Sequence, residues 1–243
     1  MPPVLQLVVP CYNEADRLDP EPFLLAVRAD SGLGIVFVDD GSTDATATIL
    51  EGISAKGEGR ISLLRLDHNA GKAAAVRSGV LEALNRDPAY VGFWDADLST
   101  PLTALPEFME VFAQRPDVDI VIGARVKLLG RDIRRRLIRH YSGRIFATAA
   151  SFALGIGVYD TQCGAKIFRA TGPVRSAFDR PFRSRWIFDV EILSRYVAAC
   201  GTTVAESRIY ELPLRSWKDV PGSKLKLRHA VRAAWDLARI TRR

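Results

Sequence analysis

Short apolar runs alternate with amphipathic stretches along the first half of the chain. Leu5-Gln6-Leu7-Val8-Val9, Ile35-Val36-Phe37-Val38, Ile61 to Leu66, Val91-Gly92-Phe93-Trp94 and Ile120-Val121-Ile122 read as buried strands. Between them, Pro22 to Ala29, Ala45 to Ser54, Ala73 to Leu84 and Leu102 to Phe112 carry apolar residues at helical spacing. Near-continuous apolar strands separated by helices predict an α/β fold, with a mostly parallel central sheet and helices on both faces. Each strand ends in polar residues, and such sheets bind ligands at the carboxyl ends of their strands. Helix starts are marked by Ser42-Thr43-Asp44 and by Ser99-Thr100-Pro101, the second with proline near the first helical position. No G-x-G-x-x-G follows the first strand, so a dinucleotide-binding Rossmann site is not expected.

The second half is less regular. Arg131 to Arg144 reads as a basic, helical segment leading into the small apolar stretch Ile145 to Ile156. A polar turn, Asp160-Thr161-Gln162-Cys163-Gly164, precedes a strand over Ala165 to Phe168. A helix follows near Phe188 to Ala199, and Val204 to Leu214 reads as a last strand. From about Leu225 the tail sets Leu227, Val231, Ala234, Trp235 and Ala238 on one stripe, with Arg228, Arg232, Arg239 and Arg243 on the neighbouring face. That is the pattern of a basic amphipathic helix.

Composition adds a distribution of charge. Residues 125–144 hold eight Lys/Arg against one Asp, and 215–243 hold nine against two, in a chain of net charge +6. Positive charge gathered into two segments suits an anion: phosphate, nucleic acid or an anionic membrane. No basic n-region with an apolar stretch opens the chain, and the run Ile145 to Ile156 is shorter than the roughly 18–20 residues a membrane span needs. Three cysteines, Cys11, Cys163 and Cys200, have no metal-ligand or redox spacing; a reduced, cytoplasmic protein is expected. The histidines His68, His140 and His229 are scattered, so neither a histidine metal site nor a Ser/His hydrolase triad can be read.

The sharpest chemical signal is Asp95-Ala96-Asp97, directly after the strand ending at Trp94. Two carboxylates at i and i+2 can share a hard divalent cation, Mg²⁺ or Mn²⁺, with a diphosphate; turn formation or helix capping is the ordinary alternative. Asp39-Asp40-Gly41-Ser42 follows another strand, and its acidic side chains can hydrogen-bond a base or ribose. Four carboxylates at one sheet edge repel unless cations compensate. Pro10-Cys11-Tyr12-Asn13-Glu14 ends the first strand, and Asn69-Ala70-Gly71-Lys72 opens a helix, where free backbone N–H groups and a lysine would favour an anion. Gly123-Ala124-Arg125 ends the fifth strand.

Taken together, Val9 to Glu14, Val38 to Asp44, Asn69 to Lys72, Asp95 to Asp97 and Gly123 to Arg125 resemble, in order and spacing, the inverting glycosyltransferases of family 2, which have the GT-A nucleotide-diphospho-sugar transferase fold. The resemblance implies that Pro10, Tyr12, Asn13, Glu14, Asp39, Asp40, Gly71, Lys72, Asp95 and Ala96 surround the nucleotide sugar. It implies that Asp95 and Asp97 hold the metal and diphosphate. Asp160 to Gly164, Arg185 to Glu191 and Gly222 to Leu225 look like the dolichyl-phosphate β-glucosyltransferase branch, close to the dolichyl-phosphate mannosyltransferases. In the latter a Gln two residues after the D-x-D also contacts metal; Ser99 stands there, which argues against a third side-chain ligand and against the mannosyltransferase reading. By the same resemblance Asp160, Trp186 and Asp189 lie near the reaction centre. The eukaryotic glucosyl enzymes usually carry an N-terminal membrane anchor; none is read in this sequence, so any membrane contact is expected to be peripheral, at the cytoplasmic face. One transferase domain is expected over 1–224, with a donor and metal half (1–125), an acceptor half (126–224), and the basic helix over 225–243.

The expected reaction moves a hexose, glucose from UDP-glucose ahead of mannose from GDP-mannose, to a polyprenyl or dolichyl phosphate. A phosphate monoester is substantially ionised at neutral pH, so the enzyme mainly positions and stabilises charge. The expected catalytic residues are Asp97, Arg125, Asp160 and Asp189. Arg125, Arg131, Arg139, Gln162, Trp186 and Lys224 are expected at the acceptor, because arginine forks match phosphate oxygens. Ile145 to Ile156 either lies in the membrane interface or forms a core helix. Two readings compete: a transferase acting on a soluble hydroxyl, with Asp189 or Asp160 as general base, and a non-catalytic membrane-binding module. No stacking aromatics interleave with basic residues, so a nucleic-acid partner is not expected.

Overall fold

The structure is a computed structural model; it describes residues 4–134 and 137–220, with side chains over 4–133 and 146–220. The predicted α/β architecture is present. Five strands fall where the apolar runs place them: β1 (Leu5–Cys11), β2 (Leu33–Asp39), β3 (Ile61–Arg65), β4 (Tyr90–Trp94) and β5 (Ile120–Ala124). The helices between them are α1 (Glu21–Ala29), α2 (Thr46–Lys56), α3 (Lys72–Leu84) and α4 (Leu105–Gln114), the last entered through a short 3-10 turn at Leu102–Ala104. Asp44 marks the start of α2 as expected, its Oδ1 accepting from Thr46 N at 2.9 Å.

Beyond β5 lie β6 (Asp132–Arg134), α5 (Leu137–Leu154), β7 (Ala165–Arg169), α6 (Gly172–Phe178), α7 (Phe188–Cys200), α8 (Thr202–Arg208), β8 (Ile209–Pro213) and β9 (Ser216–Lys218). The central sheet has the order β3-β2-β1-β4-β7-β5-β8, and β6 pairs with β9 in a separate ribbon. Only β7 runs against its neighbours, antiparallel to both β4 and β5. The carboxyl ends of β1, β2, β4, β5 and β8 therefore share one edge, and β7 begins at that edge.

Period-two alternation divides the sheet residues between two cores. On one face Val8, Val36, Val38 and Phe93 pack with Val76 and Val80 of α3 and with Phe188 and Ile192 of α7. On the other, Leu7, Val9, Ile35, Phe37 and Trp94 pack with Phe23 of α1, Leu50 of α2 and Phe108 of α4. With both faces covered, ligand access is left at the carboxyl edge.

Two expectations are corrected in the second half, and one open alternative is narrowed. The basic stretch from Arg131 is not helical at its start: Ile133 is buried and pairs with Trp217 across the β6–β9 ribbon, and the helix begins only at Leu137. A long-range pairing overrides local helical spacing here. The last strand starts at Ile209 rather than Val204, because Thr202–Arg208 forms α8, exposed apart from Ala205. Of the two readings of Ile145 to Ile156, the core one fits its buried face of Ala147, Ala150, Leu154 and Ile156, while Thr148, Ala149 and Phe152 are exposed. Among the described residues no helix is long and apolar enough to cross a membrane. The tail helix over 225–243 lies outside the described residues.

Candidate active site

The edge where the strands end gathers most of the residues singled out in the sequence. Asp95 and Asp97 leave β4 in a tight turn: Asp95 O accepts from Leu98 N, Asp97 Oδ1 accepts from Ser99 N at 3.0 Å, and Leu98 sits at φ 50°. The Lys72 ammonium, at the first position of α3, bonds Asp95 Oδ1. Burial pulls the Lys72 pKa down, but Asp95, Asp189 and Asp97 more than reverse this and hold it above the ordinary lysine value.

Gly164 fixes where the Asp95 carboxylate can lie. Its carbonyl accepts from Asp95 N at 3.0 Å, and a Cβ at this position would stand 1.9 Å from Asp95 Oδ2. Only glycine leaves the carboxylate its present place. For Gly164→Ala we expect transfer to fall roughly tenfold to a hundredfold, because misplacing a reacting group by about 1 Å has that effect. Wild-type kinetics in that variant would contradict the assigned role.

At the end of β1, Glu14 turns its carboxylate to Arg17, whose Nη2 donates to Oε1 at 2.5 Å and whose Nε bonds Oε2. The bond to Glu14 raises the Arg17 pKa, with smaller contributions from Asp97 and Asp95, so Arg17 belongs to the electrostatic environment of the D-x-D. Asn13, at φ 51°, accepts from Thr43 N at 2.9 Å and joins the first and second loops. Pro10 and Tyr12 are half-buried on the same segment, and Ala96 is buried between the two carboxylates.

Asp40 behaves differently from the expectation for Asn69 to Lys72. The N–H groups of Ala70 and Gly71 are not free for an anion: each donates to the Asp40 carboxylate at 2.8 Å, and Asn69 Nδ2 donates at 3.1 Å. Asp40 thus ties the second loop to the start of α3. Burial raises its pKa above the ordinary carboxylate value, against the lowering effect of the two N–H donors. Gly41, at φ 65°, permits the close approach, since a Cβ there would lie 2.5 Å from the His68 carbonyl carbon. Asp39 is also buried and accepts from Ser42 N at 3.1 Å. Asp40→Asn turns an N–H acceptor into a donor, so a melting temperature several degrees lower is expected, for a loss of about 1–3 kcal/mol. An unchanged melting temperature would refute the tie.

Two buried ion pairs complete the edge. Lys166, 1% exposed on β7, donates to Asp189 Oδ1 and to the Cys163 carbonyl, both at 2.5 Å. Asp189 therefore faces Lys166 while its field reaches Lys72. Arg125, at the end of β5, donates Nε and Nη2 to Asp160 at 2.6 and 2.7 Å, and its backbone N to the same carboxylate at 3.1 Å. Its guanidinium also lies over the Trp217 ring at 5.3 Å. Burial opposes the Arg125 charge, but Asp160 carries its pKa above the usual arginine value. Glu211 of β8 accepts from Tyr159 N and Asp160 N, both at 2.8 Å, and so holds the Asp160 turn in place. Among the described residues, Thr161 Oγ1 and Gln162 Nε2 on this turn are buried without a hydrogen-bond partner.

The segment before α7 closes over the α3 start. Arg185 Nη2 donates to the Ala70 carbonyl at 2.8 Å, and Glu191 accepts from Arg183 N at 2.8 Å. Glu191 also pairs with Arg195, so it braces the loop that carries Arg185 and Trp186. Cys11 and Cys163 are buried, and burial raises both thiol pKa values, which leaves them unreactive. Arg131 follows the 126–130 turn, half-buried. Arg139 lies on α5 with its side chain outside the described set, and Lys224 lies outside the described residues.

Arg17, Lys166 and Glu211 were not singled out in the sequence, and Arg185 entered only as the first residue of the Arg185 to Glu191 motif. Lys166 had a signal, a lone cation inside the apolar strand Ala165 to Phe168. Arg17 had a weaker one, three residues after Glu14. Arg185 and Glu211 act across more than 50 positions, on Ala70 and Asp160, so these partnerships carry no local signal.

Among the described residues no group of three or more His, Cys, Asp or Glu side chains forms a metal cage. Asp95 and Asp97 fit a hard divalent cation as part of a coordination sphere, because their oxygens suit Mg²⁺ or Mn²⁺ and such ions commonly take the rest from phosphate and water.

A mostly parallel sheet whose carboxyl edge carries a D-x-D, a loop-bound aspartate pair and converging cations is the arrangement of the GT-A nucleotide-diphospho-sugar transferase fold. Solved structures agree in fold. Mycobacterium tuberculosis glucosyl-3-phosphoglycerate synthase, in complex with Mn²⁺, UDP and glucosyl-3-phosphoglycerate, superposes with a TM-score of 0.64 at 16% identity, covering 98% of this chain and 78% of that one. Staphylococcus aureus TarS 1-349 in complex with UDP gives 0.58 at 16% identity, over 96% and 70%. The family model described as glycosyl transferase family 2 matches residues 6–172. The chain belongs to glycosyltransferase family 2 and is a glycosyltransferase. It is 32% identical to a dolichyl-phosphate β-glucosyltransferase of Trichomonas vaginalis, over 96% of this chain and 69% of that protein. It is 32% identical to that of Dictyostelium discoideum, over 97% and 73%, and 31% identical to that of Saccharomyces cerevisiae, over 92% and 69%.

Proposed function

We propose that the enzyme transfers glucose from UDP-glucose to a polyprenyl or dolichyl phosphate, with inversion and with Mg²⁺ or Mn²⁺ as cofactor. The observation that carries the donor half is the Lys72 ammonium on Asp95, beside Asp97 and within the field of Arg17. On this reading the pair that now neutralises itself opens when the donor arrives: Lys72 turns to the diphosphate, and Asp95 and Asp97 hold the cation. A bound Mg²⁺ or Mn²⁺ would supply electrostatic stabilisation of the departing nucleoside diphosphate. Tyr12, Glu14, Asp39 and the tied Asp40–Gly71 loop would frame the nucleotide, with Pro10, Asn13 and Ala96 setting the backbone path.

The acceptor half rests on the state of the acidic residues. Asp160 already accepts from Arg125 Nε, Nη2 and N and from Gln162 N, and Asp189 is bound to Lys166. A hydroxyl acceptor needs a general base, and either carboxylate would have to leave a buried ion pair to serve. An ionised phosphate needs none. Gln162 Nε2, a buried donor, is suited to an acceptor oxygen, and Arg125 would add positive charge while keeping Asp160. Arg131, Arg139, Trp186 and Lys224 remain acceptor candidates, and the two basic segments suit a lipid phosphate at an anionic surface, at the cytoplasmic face by our reading. The names of the dolichyl-phosphate β-glucosyltransferase relatives support the same acceptor.

Release of nucleoside diphosphate from UDP-glucose and from GDP-mannose, with a short-chain polyprenyl phosphate present, tests the donor and the cofactor together. Turnover with UDP-glucose that EDTA stops and Mg²⁺ or Mn²⁺ restores is expected. Preference for GDP-mannose, or turnover indifferent to EDTA, would overturn the assignment it touches.

A further inference from the structure

Leu129 is fully exposed, at 104%, and Leu128 is exposed at 48%. They are neighbours at the tip of a turn, a costly arrangement for two large apolar side chains in water. The turn is held firmly. Leu128 N donates to Val126 O at 3.1 Å, Arg131 N donates to Leu128 O at 3.2 Å, and Gly130 takes φ 79° to close it. Both ends are clamped as well. Arg125 is bound through its backbone and side chain to Asp160, and Asp132 N donates to Arg215 O where the β6–β9 ribbon begins. The leucines are therefore presented outward by an ordered element that starts at the carboxyl end of β5, beside the active-site edge.

Their flanks are cationic: Lys127 is exposed and Arg131 half-buried. Two apolar side chains beside basic residues match the boundary of an anionic bilayer, where acyl chains lie below negative headgroups. We propose that the 126–131 turn docks the enzyme on an anionic membrane, with Leu128 and Leu129 entering the acyl boundary and Lys127 and Arg131 meeting the headgroups. Docking there sets the Arg125–Asp160 side of the active site against the surface from which a lipid phosphate would come. This rests on the acceptor reading above and adds to it the residues that make contact.

Phe152 provides the control. It is 86% exposed on α5, one turn before Gly155, whose added Cβ would lie 3.8 Å from Thr202 Cγ2. Phe152 thus stands on α5, a different element from the 126–131 turn, and tests whether any exposed large apolar side chain suffices for binding.

The experiment sediments the full chain with vesicles of phosphatidylcholine, alone or mixed with phosphatidylglycerol. Binding to the mixed vesicles that weakens with salt is expected for the wild type. The double variant Leu128→Ser, Leu129→Ser is expected to lose on the order of tenfold or more in partitioning, while Phe152→Ser partitions like the wild type. Unchanged binding of the double variant, an equal loss in Phe152→Ser, or no binding by the wild type would overturn the docking proposal. Transfer to a short-chain polyprenyl phosphate in detergent is read alongside. The double variant keeps that activity if its defect is in docking, whereas a wild type inactive there would overturn the acceptor reading instead.

Discussion

Asp97→Ala is expected to abolish transfer, by on the order of a thousandfold or more, while the protein stays folded. Removing one preorganised electrostatic contact to a charged transition state commonly costs a hundredfold to a thousandfold. Asp97 is one of only two carboxylates at the end of β4, so little remains to hold a cation and diphosphate. The structural cost is small by comparison. Asp97 Oδ1 accepts one hydrogen bond, from Ser99 N at 3.0 Å, and a bond of that kind contributes about 1 kcal/mol. For a chain of this size the melting temperature should fall by roughly 2–4 °C. Activity within tenfold of wild type would remove the D-x-D from the mechanism, and a collapse of the melting temperature would make it a structural turn.

The second large effect is on stability. Lys166→Met leaves the Asp189 carboxylate, itself 7% exposed, without its ammonium partner. Breaking a buried pair from one side typically costs about 3–5 kcal/mol, since the remaining charge is neither solvated nor matched. At roughly 2–4 °C per kcal/mol, the melting temperature is expected to drop by about 6–20 °C. The double variant Lys166→Met, Asp189→Leu should recover much of that loss, because no charge is left stranded, yet remain catalytically impaired if Asp189 serves the reaction. Calorimetry of the single and double variants separates the two roles. A single variant as stable as the wild type would show that the pair does not hold β7 to α7.

The first half of the fold was legible because both faces of its sheet are buried. Each strand from β1 to β5 is a short apolar run, and the helices between them follow the spacing of a single apolar stripe. The second half needed contacts that spacing does not encode. β6 exists because Ile133 meets Trp217, more than 80 positions on, and α8 splits what reads as one strand because Gly201 turns the chain at φ 85° before Thr202. Ile145 to Ile156 could be read as interface or core, since an amphipathic stripe is the same pattern in either setting. Burial of Ala147, Ala150 and Leu154 puts one face of it in the core.

The candidate site divides along the same line. The carboxylates at strand ends were visible from their positions after apolar runs. Their partners were not: Asp40 gives its oxygens to Ala70 and Gly71, and Asp160 to Arg125, so groups expected to meet substrate in the open are already engaged with one another. Family resemblance located the motifs but not this internal neutralisation. It answers the repulsion expected among the four carboxylates at this edge: Lys72 and Arg17 act on Asp95 and Asp97, Arg65 on Asp39, and two backbone N–H groups with Arg185 on Asp40.

The most direct test is to incubate the enzyme with radiolabelled UDP-glucose, Mn²⁺ and a short-chain polyprenyl phosphate, and to follow label into the lipid fraction. Transfer to a lipid phosphate predicts a glucosyl phospholipid with a β linkage that mild acid releases as free glucose, and none with the dephosphorylated lipid alcohol. Equal labelling of the alcohol, or label appearing only on a water-soluble acceptor, would contradict it.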